Sequence, residues 1–176
     1  MSVPGAIHVS YLNGYAPPWA DALEQGIADV FPIPVHGISI ELDLEAAFAV
    51  ERRQYHATLL LAALLRMLPD PADKMVGLTA VDLFIPVLTF VYGQAQLDGA
   101  GAIVSTHRLH TDYYGLPPDE GLLVERSIKE AVHELGHAFG LVHCADYRCV
   151  MHAATYVEDV DLKDAAFCRA CRAAIE

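Results

Sequence analysis

The stretch that decides how this chain is read is HELGHAFGLVHCADYRCVM, His133 to Met151, with three histidines, a glutamate, two cysteines and a methionine. His133 and His137 stand four residues apart inside a helical pattern, so both imidazoles leave one face of the helix, one turn apart. That separation suits two nitrogens on one zinc ion. His143 lies six further residues along, and at about 100° per residue a continuing helix would carry it away from such a metal. Gly140 offers a way out. Glycine accepts the left-handed conformation that ends helices, so the chain can turn there and return His143 to the other two. Glu134 follows the first histidine and falls beside the metal rather than on it, where it could take a proton from activated water. The bland alternative is a surface helix with incidental histidines. With nine histidines in 176 residues, the full HExxHxxGxxH spacing arises by chance in on the order of one in ten thousand such chains, which favours the metal.

A second constellation abuts the first. Cys144 and Cys149 are separated by four residues, and Cys168 and Cys171, in CRAC, by two. Both intervals let neighbouring thiolates grip one tetrahedral zinc. Such a site has no open position, so its role would be structural, tying the loop after His143 to the C-terminal segment. The alternatives are two disulfides, or four buried thiols without a metal. The opening residues MSVPGAIHVSYLNG carry no basic region and no long apolar run, so no export signal is read there and a reducing cytoplasm is expected, where clustered thiols bind metal.

HELGHAFGLVH resembles the long zinc signature of metzincin metallopeptidases, and HC-ADYR-CVM followed by CRAC is similar to one branch, the archaemetzincins. The similarity is densest over 133–171, with weaker echoes in RRQYHA (Arg52 to Ala57) and DLFIPVLTFVYGQA (Asp82 to Ala95). The resemblance implies a peptidase with a mixed sheet, an active-site helix and a cleft beside an edge strand. It implies His133, His137 and His143 as ligands of a catalytic zinc, Glu134 as general base and Met151 as the Met-turn methionine. Some metzincins place a tyrosine two residues after that methionine. Here the position is Ala153, so no such tyrosine is assigned.

Composition sets the outer limits. The chain is 54% hydrophobic with 23 acidic and 11 basic residues, a formal net charge of −12. The apolar fraction supplies a substantial core, and the negative surface disfavours nucleic acid and anionic membranes as partners. The longest apolar runs, Leu59 to Leu65 and Phe84 to Gly93, are short of the roughly 20 residues of a membrane-spanning helix.

Along the chain, Ala6 to Leu12 reads as a buried strand. Trp19, Leu23, Ile27 and Val30 or Phe31 recur at helical spacing until Pro32, and Ile38 to Leu44 alternate as a half-exposed strand. A helix covers roughly Gln54 to Leu68. Lys74 to Thr79, Phe90 to Gln96 and, after the Asp98-Gly99 turn, Ala100 to His107 read as strands, and a helix runs from about Leu122 to Phe139. This order predicts one α+β domain over 1–176, a mixed twisted sheet packed with helices. Within it, 1–140 carries the sheet and active-site helix, and 141–176 forms a smaller zinc-stapled subdomain.

His107 and His110 read as solvated loop residues, and His152 as a cleft or packing residue. Tyr113, Tyr114, Tyr147 and Tyr156 could border the cleft, with packing as the default for each. Asp161, Lys163 and Asp164 are expected on a solvated helix face, and Thr89, Tyr92 and Gln94 along an edge strand where substrate backbone could pair. The sum is a zinc peptidase with two zinc ions per chain acting on a peptide or small protein. Two rivals stay open: a non-catalytic zinc-stabilised binding protein, and a zinc hydrolase of a non-peptide amide.

Overall fold

Side-chain alternation organises the molecule. In the computed structural model, which describes residues 4–175, the first strand, β1 (Ile7–Leu12), sends Ile7, Val9 and Tyr11 into one hydrophobic cluster and Leu12 into another. Period two along a strand puts successive side chains on opposite faces, so a strand buried on both faces feeds two cores. After β1 comes α1 (Ala20–Ala28), whose Leu23 and Ile27 face the first core. Next are β2 (Val35–Ile40), the two-residue β3 (Phe48–Ala49) and the three-residue β4 (Gln54–His56). The helix α2 (Ala57–Leu65) buries Ala57, Leu60, Leu61 and Leu64 in the second core. Then follow β5 (Lys74–Thr79), β6 (Leu83–Phe84), β7 (Gly93–Ala95) and β8 (Gly101–Ser105). The chain closes with α3 (Glu120–Ala138), α4 (Val157–Leu162) and α5 (Arg169–Ile175).

The main sheet has the order β2-β1-β5-β8-β7, parallel except for β7, which runs antiparallel on the edge beside β8. α1 and α3 cover one face and α2 the other. This is the mixed sheet packed between helices that the pattern predicted. Three elements differ most from the reading of the sequence. β2 begins at Val35 and ends at Ile40, because pairing with β1 fixes its length rather than the alternation that continues to Leu44. The helix read from Gln54 starts at Ala57, since Gln54 to His56 join a small second sheet, β3-β4-β6, that no run of the sequence announces. The strand read over 90–96 is only Gly93–Ala95; the residues before it form an irregular lip. Met1 to Val3 and Glu176, which the reading included in the domain, lie outside the described residues.

α3 positions the site. It starts where the Asp119 side chain accepts from the Leu122 amide at 2.9 Å, satisfying an amide that has no partner inside the helix. It ends where Gly140 takes φ +92° and its amide donates to His137 O at 2.9 Å. The last carbonyls are capped from the sheet: Asp98 N–H donates to His137 O at 2.9 Å and Lys74 Nζ to Ala138 O at 3.0 Å. Through Asp98 the β7–β8 turn is fastened to the end of α3, which holds edge strand β7 beside the histidine face. Among the described residues no helix is long and apolar enough to cross a membrane.

Candidate metal centre and cleft

His133 and His137 project from one face of α3, and their outer nitrogens are spoken for. His133 Nδ1 meets Val150 O at 2.7 Å and His137 Nδ1 meets Leu141 O at 2.7 Å. A carbonyl only accepts, so each Nδ1 carries the ring proton and each Nε2 is left with a lone pair. The two Nε2 atoms stand 3.2 Å apart. Two acceptors that close, with no proton between them, fit a shared cation. Beyond the turn at Gly140 the His143 ring comes to 5.4 Å from His133 and 5.0 Å from His137, centre to centre. One nitrogen from each of the three rings lies within 4.8 Å of the others. Burial, and next the Lys163 ammonium, hold the His133 imidazole well below its ordinary proton affinity. His143 is lowered too, by partial burial and then by His137. Neutral rings are the form in which histidine binds a metal.

Glu134 is buried, one residue on from His133, at the floor of a cleft of about 330 Å³ lined also by Thr89, Tyr92, Gly93, His143 and Ala153. Burial raises its carboxyl well above the usual range, the charge of Glu130 one turn back raises it further, and Lys163 opposes both. Its approach to β7 needs a glycine. A Cβ on Gly93 would lie 2.7 Å from Glu134 Cγ and 2.8 Å from Ile103 O. Gly136 does the same for Met151. That methionine is wholly buried, and a Cβ on Gly136 would run into its sulfur and come to 3.1 Å from Phe167. A glycine inside a helix costs about 1 kcal/mol relative to alanine, so Gly136 in the middle of HELGH was the available signal for a close approach. Gly93 gave none.

The four cysteines gather behind the Met151 loop. All are free thiols, and their sulfurs lie within 4.8 Å of one another. Cys144 and Cys168 Sγ are 3.8 Å apart, nearly twice a disulfide bond and equal to the edge of a tetrahedron built on zinc–sulfur bonds of about 2.3 Å. The Cys171 amide, together with the neighbouring thiols, lowers the Cys168 thiol to about 7, while burial raises Cys149 and Cys171. One thiol is thus ready to ionise first.

Lys163 departs from expectation. It does not sit on a solvated face: its side chain is 0% exposed, its Nζ donates to Glu130 Oε1 at 3.1 Å and to His152 O at 3.1 Å. Asp161 is likewise engaged, by both Arg126 Nε and Nη2 at 2.7 Å. Val157 and Val160 seat α4 on the first core, which brings Asp161 and the following Lys163 against Arg126 and Glu130 of α3. His152 is spent inside its own loop, Nδ1 facing Cys144 O at 2.9 Å. His107 packs against Tyr113 and His110 stands 3.6 Å from Asp112. Tyr147 and Tyr156 are exposed, at 64% and 68%; of the tyrosines near the centre, Tyr92 lines the cleft.

The family model for peptidase family M54 matches residues 31–176. The chain belongs to peptidase family M54. As a member it is a zinc metallopeptidase, a hydrolase, and its similarity to archaemetzincins extends well beyond the histidine motif. It is 43% identical over 125 residues to the archaemetzincin of Methanocaldococcus jannaschii, covering 71% of this chain and 68% of that protein. The crystal structure of archaemetzincin from Methanopyrus kandleri superposes with TM-score 0.85 at 36% identity, covering 98% of this M54 chain and 94% of the other. A zinc-dependent peptidase from Methanocorpusculum labreanum superposes with TM-score 0.87 at 31% identity, covering 97% and 100%.

Proposed function

We propose that this M54 chain is a metzincin-type peptidase that cleaves peptides or small proteins in the cleft above Glu134, with His133, His137 and His143 holding the catalytic zinc through one ring nitrogen each. The facing lone pairs of His133 and His137 support this assignment most directly. Zinc bound there supplies Lewis acidity, which activates water near neutral pH and polarises a carbonyl. The chain's own contribution is the proton route. Glu134 follows the ligand His133 and lines the cleft beside His143, so its carboxylate is placed to meet water held at the metal. It takes the proton from the attacking water and returns it to the departing amine. Gly93 sets the carboxylate against the edge strand along which an extended substrate would lie. Met151, buried against Gly136 of the same helix, is the proposed Met-turn methionine.

Cys144, Cys149, Cys168 and Cys171 are proposed to hold a second, structural zinc that staples residues 141–176 to the body, giving two ions per chain. Free thiols of this kind suit a reducing compartment such as the cytoplasm.

Peptide-library cleavage by the wild type and Glu134→Gln tests the reading. The variant keeps shape and hydrogen bonding but not basicity, so turnover falls by at least about a hundredfold while zinc content stays near wild type. Full activity in the variant removes Glu134 from the mechanism. Loss of zinc instead makes its role structural. A wild type that binds peptides without cleaving any, or cleaves only small non-peptide amides, favours one of the two rivals.

A further inference from the structure

The side of the cleft opposite α3 is not a regular strand. Between β6 and β7 the chain runs through an irregular lip, residues 85–92, whose Val87 is 84% and Leu88 51% exposed. The backbone bonds that hold it are the turn from Leu88 N to Ile85 O at 3.0 Å and the contacts of Val91 N with Leu83 O and Ser105 N with Tyr92 O. Leu88 and Thr89 at its crest line the cleft, yet no neighbouring strand takes their carbonyls.

Side chains take them instead. Arg52 Nη2 donates to Leu88 O at 2.8 Å and to Thr89 O at 2.9 Å. Gln54 Nε2 donates to the same Thr89 O at 3.1 Å and to Asp82 Oδ2 at 3.0 Å, and Gln54 Oε1 accepts from Arg52 Nε at 3.1 Å. Asp82 is itself gripped by Arg108 Nε and Nη2 at 2.7 Å each. The Arg108 guanidinium covers the Phe90 ring at 4.3 Å, and Arg52 covers Phe84 at 4.2 Å. The network therefore closes around residues 88–90 from both sides: two carbonyls and one aromatic ring, held by two cations that share one carboxylate through a glutamine. Planar guanidinium suits this work, since it offers several donors in fixed directions while stacking on a ring. It also explains why RRQYHA and DLFIPVLTFVYGQA, far apart in sequence, both stood out: the structure fastens one to the other.

We propose that Arg52, seconded by Gln54, is a positioning residue for substrate. It holds the lip of the cleft in the one backbone conformation that an extended peptide meets when it lies between Thr89 and the histidine face. Arg52 touches neither Glu134 nor the histidines, so its loss loosens peptide binding rather than the proton route. The inference rests on the cleft's being the peptide site.

The test compares wild type, Arg52→Ala and Arg52→Lys in zinc-loaded protein with a library-selected peptide. KM and kcat are measured separately, and backbone hydrogen exchange is followed over residues 85–92. Arg52→Ala, which leaves the Leu88 carbonyl without its side-chain donor, raises KM by about tenfold while kcat changes by less than about threefold. Exchange at the lip quickens and the rest of the chain stays protected. Arg52→Lys, which keeps the charge and one donor, recovers part of the loss. Unchanged KM in Arg52→Ala overturns the proposal, whether or not the lip exchanges faster. A fall in kcat with zinc loss and a general rise in exchange also overturns it, since Arg52 is then a global structural residue. If the wild type binds the peptide but cleaves nothing, the function proposed above fails alone, and the same comparison made on peptide Kd decides the role of Arg52.

Discussion

The chemistry of the site is set at single residues, and two of them act by having no side chain. Gly136 admits the Met151 sulfur against α3, and Gly93 admits Glu134 to the edge strand. The second case gives a sharp expectation. Gly93→Ala places a methyl 2.7 Å from Glu134 Cγ and 2.8 Å from the Ile103 carbonyl. The backbone oxygen belongs to β8, hydrogen-bonded between β5 and β7, and cannot yield far, so the carboxylate moves. Turnover should fall by about tenfold to a hundredfold, because displacements on the order of 1 Å cost that much in an aligned site. Zinc stoichiometry should hold, since no proposed ligand moves; steady-state kinetics beside elemental analysis checks both. Wild-type turnover would show that Glu134 tolerates the crowding. The histidine spacing could be read from the sequence because four residues on a helix fix two side chains on one face. The two glycines differ in legibility for a matching reason. Gly136 breaks a local rule, whereas Gly93 answers a neighbour 41 residues away in sequence, Glu134.

Elements come next, and their junctions carry the charge. Lys163, at the end of α4, is enclosed with Glu130 of α3 and the carbonyl of His152. A buried pair adds little over a well-packed apolar replacement, but removal of one partner leaves an uncompensated charge. Lys163→Met should therefore destabilise the protein by about 3–5 kcal/mol, and Lys163→Met/Glu130→Leu should regain most of it. Thermal melting of the two single variants and the double variant reads this directly. A single variant that melts like wild type would mean the pair is solvated in practice. The sequence placed Lys163 on a water-facing surface because α4 is short and rich in acids, and nothing local distinguishes a lysine that folds back onto a neighbouring helix. The same limit hid the small sheet β3-β4-β6. Strands of two or three residues carry too few positions for a period to show, and they exist only because pairing partners arrive from elsewhere.

For the whole molecule, the two constellations differ in how they would release a metal. Three nitrogens with an open position admit a chelator, and burial, which lowers the proton affinity of His133 and His143, means that acid competes with a metal only below the ordinary histidine range. Four thiolates form a closed site coupled to the folding of the loop around them. Limited chelation near neutral pH should remove one zinc of the two proposed, abolish activity and leave circular dichroism unchanged, with added zinc restoring turnover. Cys168→Ser should act in the opposite order, lowering the melting temperature before activity is touched. If the first zinc released takes the C-terminal fold with it, the two roles are reversed. Val150, Met151 and Phe167 share the first core with β1 and β5, so that loosening should reach the floor of the histidine site. By itself the sequence determined what is local: the helix that pairs His133 with His137, the glycine that lets the chain turn before His143, the thiol spacings, and the apolar runs of five or six residues that form β1, β5 and β8. Covalent geometry repeats with a fixed period, so those features are written in consecutive positions. Only the tertiary structure decided that Lys163 is buried, that Gly93 must lack a side chain, that the lip stops short of being a strand and that Arg52 holds it. Each of those depends on which distant segment packs alongside, and that is set by the joint burial of both cores rather than by any run of residues.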